Sequence, residues 1–201
     1  MSTATLTVVG DSFVEGRGDP VEGGGFRGWV PRFAGQIGLR GNKVRNFGTH
    51  GATTTHVLDV QLPGALATRS SLYGVVVGVN DLVSDYDRPR FEDNLHAIFD
   101  KLRTGGATVF TATYPDIPAR LPVPDQFREL LRERFTEANA ALVEVTRTTG
   151  TLLLDIAASP QWAEGEMWTS DGLHPSSAGH REFAASAVEL VYQTTATTLA
   201  A

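Results

Sequence analysis

The sequence contains no cysteine, which excludes disulfide bonds and thiolate metal sites. Basic residues are also few, because 17 Lys and Arg stand against 23 Asp and Glu and give a net charge of −6 at pH 7. A surface with this excess of negative charge repels the phosphate backbone of nucleic acids. We therefore expect no nucleic-acid partner.

Long apolar runs are absent as well. No stretch of the sequence approaches the roughly 20 apolar residues that a membrane-spanning helix needs, so we expect no stable membrane insertion. Residues 1–10 contain no Lys or Arg and run directly into a predicted strand, which leaves no room for a secretory leader. The sequence therefore predicts a cytoplasmic protein, and the alternative is a secreted protein whose leader has been removed.

The overall amino-acid composition is typical of one globular domain. With 201 residues, of which 41% are hydrophobic and 20% charged, the chain is long enough to bury one α/β core. No internal repeat, low-complexity tract or linker divides the sequence. We predict a single domain over residues 1–201, and the sequence favours no particular oligomeric state.

Five short apolar runs recur along the chain, and each is followed by a residue type that stops strands and builds turns. They lie at residues 6–9, 43–47, 73–79, 108–113 and 151–156. Such runs are typical of strands buried on both faces of a parallel sheet. Helical spacing separates the runs, at residues 29–39, 56–66 with an interruption at Pro63, 90–103, 127–145 and 177–194.

The segment before the fifth run has the clearest helical stripe, with Asp125 as its predicted N-cap. Its predicted buried face consists of Phe127, Leu130, Leu131, Ala138, Leu142 and Val145. Strands that alternate with helices predict right-handed crossovers. We therefore predict an α/β fold, a three-layer α/β/α sandwich around a mostly parallel five-stranded sheet.

In such a sheet the ligand crevice lies beyond the carboxyl ends of the strands, so the residues that follow each strand are candidates for chemistry. Ser12 follows the first run, and Asn80 and Asp81 come with the third. The segment from Asp171 to His174 precedes the last helix. The fold would bring a serine, a histidine and an aspartate to one edge.

These residue types can perform acyl transfer. The reaction needs a hydroxyl nucleophile, a base that titrates near neutral pH, an orienting carboxylate and fixed donors for the oxyanion. Ser12 supplies the hydroxyl, and His174 is the best placed of five histidines because Asp171 lies three residues before it. On one turn, Asp171 could hold the ring nitrogen that faces away from Ser12.

Four motifs carry a family resemblance. They are Gly10-Asp11-Ser12, Gly51 after the second run, Gly78-Val79-Asn80-Asp81 and Asp171-Gly172-Leu173-His174-Pro175. In this order and spacing they resemble the four sequence blocks of the SGNH (GDSL-like) hydrolases, across nearly the whole chain. Two departures from the usual pattern are Phe13, where Leu is more common, and the presence of Gly48 as a second candidate for the role of Gly51.

The resemblance implies a flavodoxin-like fold and a role for each matching residue. Ser12 would be the nucleophile, His174 the base and Asp171 its orienter. The backbone N–H groups of Ser12 and Gly51 and the side chain of Asn80 would form the oxyanion hole. No cofactor and no metal are implied, and the partner would be a small-molecule ester.

Residues near these motifs are candidates for contact with the substrate, namely Phe13, Tyr114 and Trp168. Trp162 and Trp168 either line an acyl pocket or pack their loop against the core. The proline-containing segment 114–124 is either a semi-rigid lid or an inert connection. The sequence leaves both choices open.

Other interpretations compete with the hydrolase. Asp11-Ser12 could cap a helix, and Asn80-Asp81 could be an ordinary turn. His50, His56, His96 and His180 belong to no recognisable metal set and are predicted as surface or capping residues. As a whole, the chain is predicted to be a carboxylesterase, lipase-like enzyme or acetylesterase, and the alternatives are an acyltransferase on a sugar or natural-product hydroxyl and a catalytically silent binding module.

Overall fold

Five parallel strands form one sheet in the computed structural model, which describes residues 4–199. The strands are β1 (Leu6–Gly10), β2 (Val44–Asn46), β3 (Leu72–Val76), β4 (Thr108–Ala112) and β5 (Leu152–Leu154). Their order across the sheet is β2-β1-β3-β4-β5, and every neighbouring pair is parallel. This is the flavodoxin-like order, so the predicted fold class is confirmed.

Eight α-helices connect and cover the strands in the part of the chain that the structure describes. They are α1 (Ser12–Glu15), α2 (Val30–Gln36), α3 (Thr54–His56), α4 (Leu62–Ala67), α5 (Val79–Val83), α6 (Arg88–Arg103), α7 (Asp125–Thr149) and α8 (Ser177–Leu199). Helices α2 and α8 pack together on one face, and α4, α6 and α7 lie on the other. None of the helices within residues 4–199 is long and apolar enough to cross a membrane.

Aromatic rings fill the core between the sheet and the α2–α8 layer. Trp29, just before α2, contacts Phe110 of β4 and Phe183 of α8, with ring centroids 6.0 and 4.8 Å away. Gly74 of β3 makes room for these rings, because a Cβ there would lie 2.8 Å from the edge of Phe110. Aromatic packing therefore fixes how the α2–α8 layer sits on the strands.

The segment around Pro63 remains helical, although an interruption was predicted there. A π turn over Val57–Gln61 joins α3 to α4, and Pro63 falls in the first turn of α4. Proline cannot donate an intrahelical hydrogen bond, and the π turn directly before it is where the hydrogen-bond pattern departs from that of an α-helix. The extra residue in the π turn directs Gln61 inward, where it is buried.

Helix α7 differs from its prediction at the first two turns. Pro124, not Asp125, occupies the N-cap position, and Asp125 is the first helical residue. Phe127 and Leu130 are exposed, whereas Leu131, Ala138, Leu142 and Val145 are buried as predicted. A helix of 25 residues is about 37 Å long and extends well beyond strands of five residues. Its beginning therefore has no sheet to pack against.

Candidate active site

Ser12 stands at the switch point of the sheet, where the chain leaves β1 and where the crossovers on either side diverge. Gly10 has a φ of 152°, and a Cβ there would lie 1.9 Å from the carbonyl oxygen of Val76 in β3. The buried amide of Gln61 holds this residue, accepting from Gly10 N and donating to Gly10 O, both at 2.8 Å. These contacts thus fix the last residue of β1, two positions before Ser12.

Asp11 caps the short helix α1 that carries Ser12. Its carboxylate accepts from the backbone N–H of Phe13 at 2.9 Å. The capping interpretation and the nucleophile interpretation of this dipeptide are therefore compatible. Ser12 is 8% exposed, which leaves its hydroxyl at the bottom of a crevice.

Asp171 and His174 share one tight turn before α8. Asp171 Oδ2 lies 2.7 Å from His174 Nδ1. The other oxygen accepts from the backbone N–H groups of Leu173 and His174 at 2.8 and 3.0 Å, and from Thr169 Oγ1 at 2.7 Å. Four hydrogen bonds therefore hold this carboxylate against the imidazole, with the ring presenting Nε2 on its far side.

The two motifs meet although they are 162 residues apart in sequence. His174 Nε2 lies 3.1 Å from Ser12 Oγ. This distance is within hydrogen-bond reach of a general base. The structure thus brings Ser12, His174 and Asp171 into one connected row.

Asn80 lies in the first turn of α5, on the wall of the same crevice. Its Nδ2 donates to the carbonyl oxygen of Ala52 at 2.9 Å, which uses one N–H and orients the amide. The next residue, Asp81, accepts from Thr54 N at 2.9 Å and from Thr54 Oγ1 at 2.6 Å. These contacts join the start of α5 to the segment after β2.

The two glycines after β2 have different roles in the structure. Gly48 donates its N–H to Asn46 Oδ1 at 2.8 Å, and a Cβ at Gly48 would lie 2.4 Å from Glu15 N. Gly51 has a φ of 78° and is exposed, and its N–H has no protein acceptor within residues 4–199. Of the two, Gly51 alone has an N–H available to a ligand, whereas Gly48 serves close packing.

The two aspartates of the site have pKa values shifted in opposite directions. Burial raises the pKa of Asp11 to about 7, against the Phe13 hydrogen bond and with help from the negative charge of Asp81. Partial burial also acts to raise the pKa of Asp171, but the hydrogen bonds from His174, Thr169 and Leu173 outweigh it and bring that pKa well below its usual range. At neutral pH, Asp171 is therefore fully ionised.

An apolar pocket of about 50 Å³ opens beside Ser12 at the carboxyl ends of the strands. All three predicted substrate-contact residues, Phe13, Tyr114 and Trp168, line it. Trp162 lines it as well, and both tryptophans are buried and pack edge to face with centroids 5.5 Å apart. The two interpretations of the tryptophans are therefore compatible, because the rings pack their loop and also line the pocket.

His180 was wrongly predicted as a surface or capping residue. It is completely buried, and its Nε2–H donates to the carbonyl oxygen of Arg17, just after α1, at 2.8 Å. Its ring stacks on Phe13 with centroids 5.0 Å apart. Burial lowers the pKa of His180 to about 4, although the Arg17 hydrogen bond acts to raise it. A neutral histidine on α8 therefore anchors helix α1, which carries Ser12, and the chain just after it.

Sequence reasoning did not identify Gln61 or His180. A polar residue within a helical segment carries no signal of its own, and the partners of these two lie 51 and 163 residues away. Among residues 4–199, no group of three or more His, Cys, Asp or Glu side chains forms a metal-binding cluster.

Known proteins resemble this chain in sequence and in fold. A family model described as the GDSL-like lipase/acylhydrolase family matches residues 8–182. No curated protein matches the sequence.

Three solved structures illustrate the likeness in fold. A lipase from a goat rumen metagenome has 17% identity and a TM-score of 0.75, covering 94% of this chain and 97% of its own. A lipase/acylhydrolase from Enterococcus faecalis has 22% identity and a TM-score of 0.71, covering 93% and 94%. A catalytic mutant of an acetylxylan esterase from Geobacillus stearothermophilus has 19% identity and a TM-score of 0.71, covering 95% and 96%. At these identities the likeness establishes the fold.

Proposed function

This chain belongs to the GDSL-like lipase/acylhydrolase family, and we propose that it hydrolyses a small carboxylic ester through an acyl intermediate on Ser12. Membership of the family makes the chain an ester hydrolase. The observation that supports the mechanism is the row of three side chains, with Ser12 Oγ 3.1 Å from His174 Nε2 and His174 Nδ1 2.7 Å from Asp171.

In the first half of the proposed reaction, Ser12 Oγ attacks the carbonyl carbon and its proton passes to His174 Nε2. The tetrahedral oxyanion accepts hydrogen bonds from the N–H groups of Ser12 and Gly51 and from Asn80 Nδ2. When the C–O bond to the alcohol breaks, His174 returns the proton to the leaving oxygen. The product is an acyl-serine ester and a free alcohol.

In the second half, water replaces the alcohol. His174 takes a proton from the water, whose oxygen bonds to the acyl carbon through a second tetrahedral oxyanion held by the same donors. The bond to Ser12 Oγ then breaks, and the serine recovers its proton from His174. A carboxylic acid leaves, and the site returns to its starting state.

Asp171 supports both halves without itself accepting a proton. Its hydrogen bond fixes the proton of the neutral imidazole on Nδ1, so that Nε2 faces Ser12 as an acceptor. When His174 becomes positively charged, the neighbouring carboxylate stabilises that charge. The lowered pKa of Asp171 keeps it ionised throughout the neutral range.

Covalent labelling tests the proposal directly. Ethyl p-nitrophenyl methylphosphonate should phosphonylate Ser12 and release one equivalent of p-nitrophenolate, and peptide mass spectrometry should place the adduct on Ser12. A matched control is Ser71→Ala, because Ser71 is an exposed serine just before β3, at the end of the sheet away from Ser12. Labelling of the wild type and of Ser71→Ala but not of Ser12→Ala is the expected result, and equal labelling of all three proteins would refute the proposed nucleophile.

Turnover of p-nitrophenyl acetate by the same proteins tests catalysis separately. Only Ser12→Ala should lose hydrolysis of this ester. Adding an alcohol or a sugar acceptor and analysing the products distinguishes hydrolysis from the alternative, an acyltransferase, because the acyl-serine intermediate then divides between water and acceptor. We expect free acid as the main product.

A further inference from the structure

The pocket beside Ser12 is small for an acyl-binding site. An engineered cavity of about 150 Å³ in another protein holds benzene, which has six carbons. At the same packing, about 50 Å³ holds about two carbon atoms beyond the reacting carbonyl. The pocket therefore matches the acyl chains of acetate and propionate, and butyrate, which is one methylene longer, marks its upper limit.

Hydrogen bonds fix one wall of this pocket, so it cannot easily widen. Tyr114 Oη donates to the carbonyl oxygen of Val77 at 2.6 Å. The backbone N–H and C=O of Tyr114 are both held by the side-chain amide of Asn139, each at 2.8 Å. The backbone and the phenol oxygen of this buried residue are therefore both held, which opposes any movement of the ring that would lengthen the pocket.

Trp162 and Trp168 form a second part of the pocket wall, and Arg120 fastens it. Trp168 Nε1 donates to the carbonyl oxygen of Trp162 at 3.0 Å. The Arg120 guanidinium lies 5.3 Å from the centre of the Trp168 ring, a cation–π distance. It also donates to the carbonyl oxygens of Trp162 and Ala163.

Arg120 connects this wall to the two other loops around the site. It ends the 3₁₀ turn Ile117–Arg120, which begins the return of the chain from β4 to α7. Its backbone oxygen packs against Gly172, where a Cβ would lie only 2.4 Å away. Arg120, which itself belongs to segment 114–124, therefore contacts both the loop that carries Trp162 and Trp168 and the turn that carries His174.

We propose that the pocket beside Ser12 accepts acyl chains of two to four carbons, and that Arg120 sets this limit by fastening the Trp162–Trp168 wall. The inference rests on the proposed function, because it takes Ser12 as the nucleophile. It adds the substrate class, which is a short-chain acyl ester, and it names Arg120 as a specificity-determining residue that acts through the tryptophans.

A series of p-nitrophenyl esters tests the limit, since only the acyl chain changes. For the wild type, kcat/KM should be about 10- to 100-fold lower for the octanoate than for the butyrate, because forcing extra methylenes into a packed site costs that much. In Arg120→Met, which keeps an unbranched apolar stem but loses the donors and the charge, the octanoate-to-butyrate ratio should rise about three- to tenfold. Trp162→Phe should raise it further by removing wall volume.

The control for the arginine change is Arg132→Met. Arg132 pairs with Asp116 at the start of the same 3₁₀ turn, at 2.9 Å, but it is exposed and lies outside the pocket. The ratio in Arg132→Met should equal that of the wild type. Because both esters are measured on one sample, the ratio is independent of the folded fraction, so a loss of stability in Arg120→Met does not obscure the result.

Two further probes separate this inference from the proposed function. Ethyl p-nitrophenyl phosphonates that carry a methyl or a heptyl group on phosphorus place that group where the acyl chain would lie. Faster reaction of the methyl compound at Ser12 supports the short pocket. Equal rates, or an unchanged ratio in both Arg120→Met and Trp162→Phe, would overturn the acyl limit but leave Ser12 as the nucleophile, whereas no reaction with the methyl compound would count against the nucleophile itself.

Discussion

Asp11 and Asp171 stand on opposite sides of the same serine–histidine pair, and their surroundings shift their pKa values in opposite directions. Asp11 lies beneath the serine, 4% exposed, and burial together with the charge of Asp81 raises its pKa to about 7 despite one backbone hydrogen bond. Asp171 lies beside the histidine with a half-exposed side chain, and its hydrogen bonds overcome the effect of partial burial and lower its pKa. One residue type thus serves two purposes.

The contrast shows how each side of the site is positioned. The serine side is held by burial and by backbone contacts, including those of Gln61 and His180. The histidine side is held by side-chain hydrogen bonds within one short turn. Negative charge is therefore concentrated behind His174, where it stabilises an imidazolium, and reduced beneath Ser12, where it would oppose a developing oxyanion.

The largest expected effect comes from removing either reacting side chain. Ser12→Ala and His174→Ala should each lower kcat on p-nitrophenyl acetate by roughly 10⁵-fold, because the two groups act as one unit. The double variant should lose no more than either single variant. A clear further loss in the double variant would show that Ser12 and His174 contribute independently. The two sides of the site would then not act as one unit.

Asp171→Asn should have the next largest effect. The change keeps the shape of the turn but removes the charge and permits the wrong imidazole tautomer, so kcat should fall about 100- to 1,000-fold, less than at a fully buried triad aspartate. The control is Asp59→Asn, an exposed residue of the π turn, which should keep wild-type turnover. A loss of less than about fivefold in Asp171→Asn would mean that the open histidine side does not need its carboxylate.

Asn80→Ala tests the serine side without touching Ser12. Loss of an oxyanion donor should lower kcat about 100-fold with KM nearly unchanged, because the bond strengthens only in the transition state. Asn42→Ala, on an exposed turn before β2, is the matched control and should behave as the wild type. A rise in KM at constant kcat would instead identify Asn80 as a residue that binds the ground state.

Much of the fold could be predicted from the sequence because strands and helices alternate with clear periods. The boundaries were less accurate, since the apolar run at 73–79 continues past the end of β3 at Val76. Val77 and Gly78 stay buried although they no longer pair, so their burial makes the loop resemble a strand. Periodicity reports burial, and it cannot tell where the ladder of hydrogen bonds stops.

The parts of the site with local spacing could also be predicted. Asp171 and His174 are three residues apart, and their contact follows from one turn. The anchoring role of His180 depends on a carbonyl group 163 residues away, and the role of Arg120 on a loop about 40 residues later. Such contacts arise only once the layers are packed, so no pattern in the sequence indicates them.

The smallest expected effect concerns stability and follows from the raised pKa of Asp11. A folded-state pKa of about 7 against 3.8 in the unfolded chain means that the folded protein holds a proton that the unfolded chain releases. The free energy of unfolding should therefore fall as pH rises from about 4 to 7. Asp11→Asn cannot ionise and still accepts from Phe13, so this decline should be absent in the variant.

Urea unfolding of the wild type and Asp11→Asn between pH 4 and 8 measures the difference. The shift corresponds to about 4 kcal/mol at most, and we expect a relative gain of about 2 kcal/mol for the variant by pH 8, with the offset near pH 4 as the reference. His180, whose lowered pKa acts in the opposite direction below pH 6.5, is present in both proteins and cancels. Asp171→Asn should show the reverse sign in a lower pH range, because the wild type gains stability from the lowered pKa of Asp171 as pH rises to about 4 and the variant does not, so its urea curves are measured below pH 4 as well. If the two variants changed stability in the same direction with pH, the opposite pKa shifts of the two aspartates would be wrong.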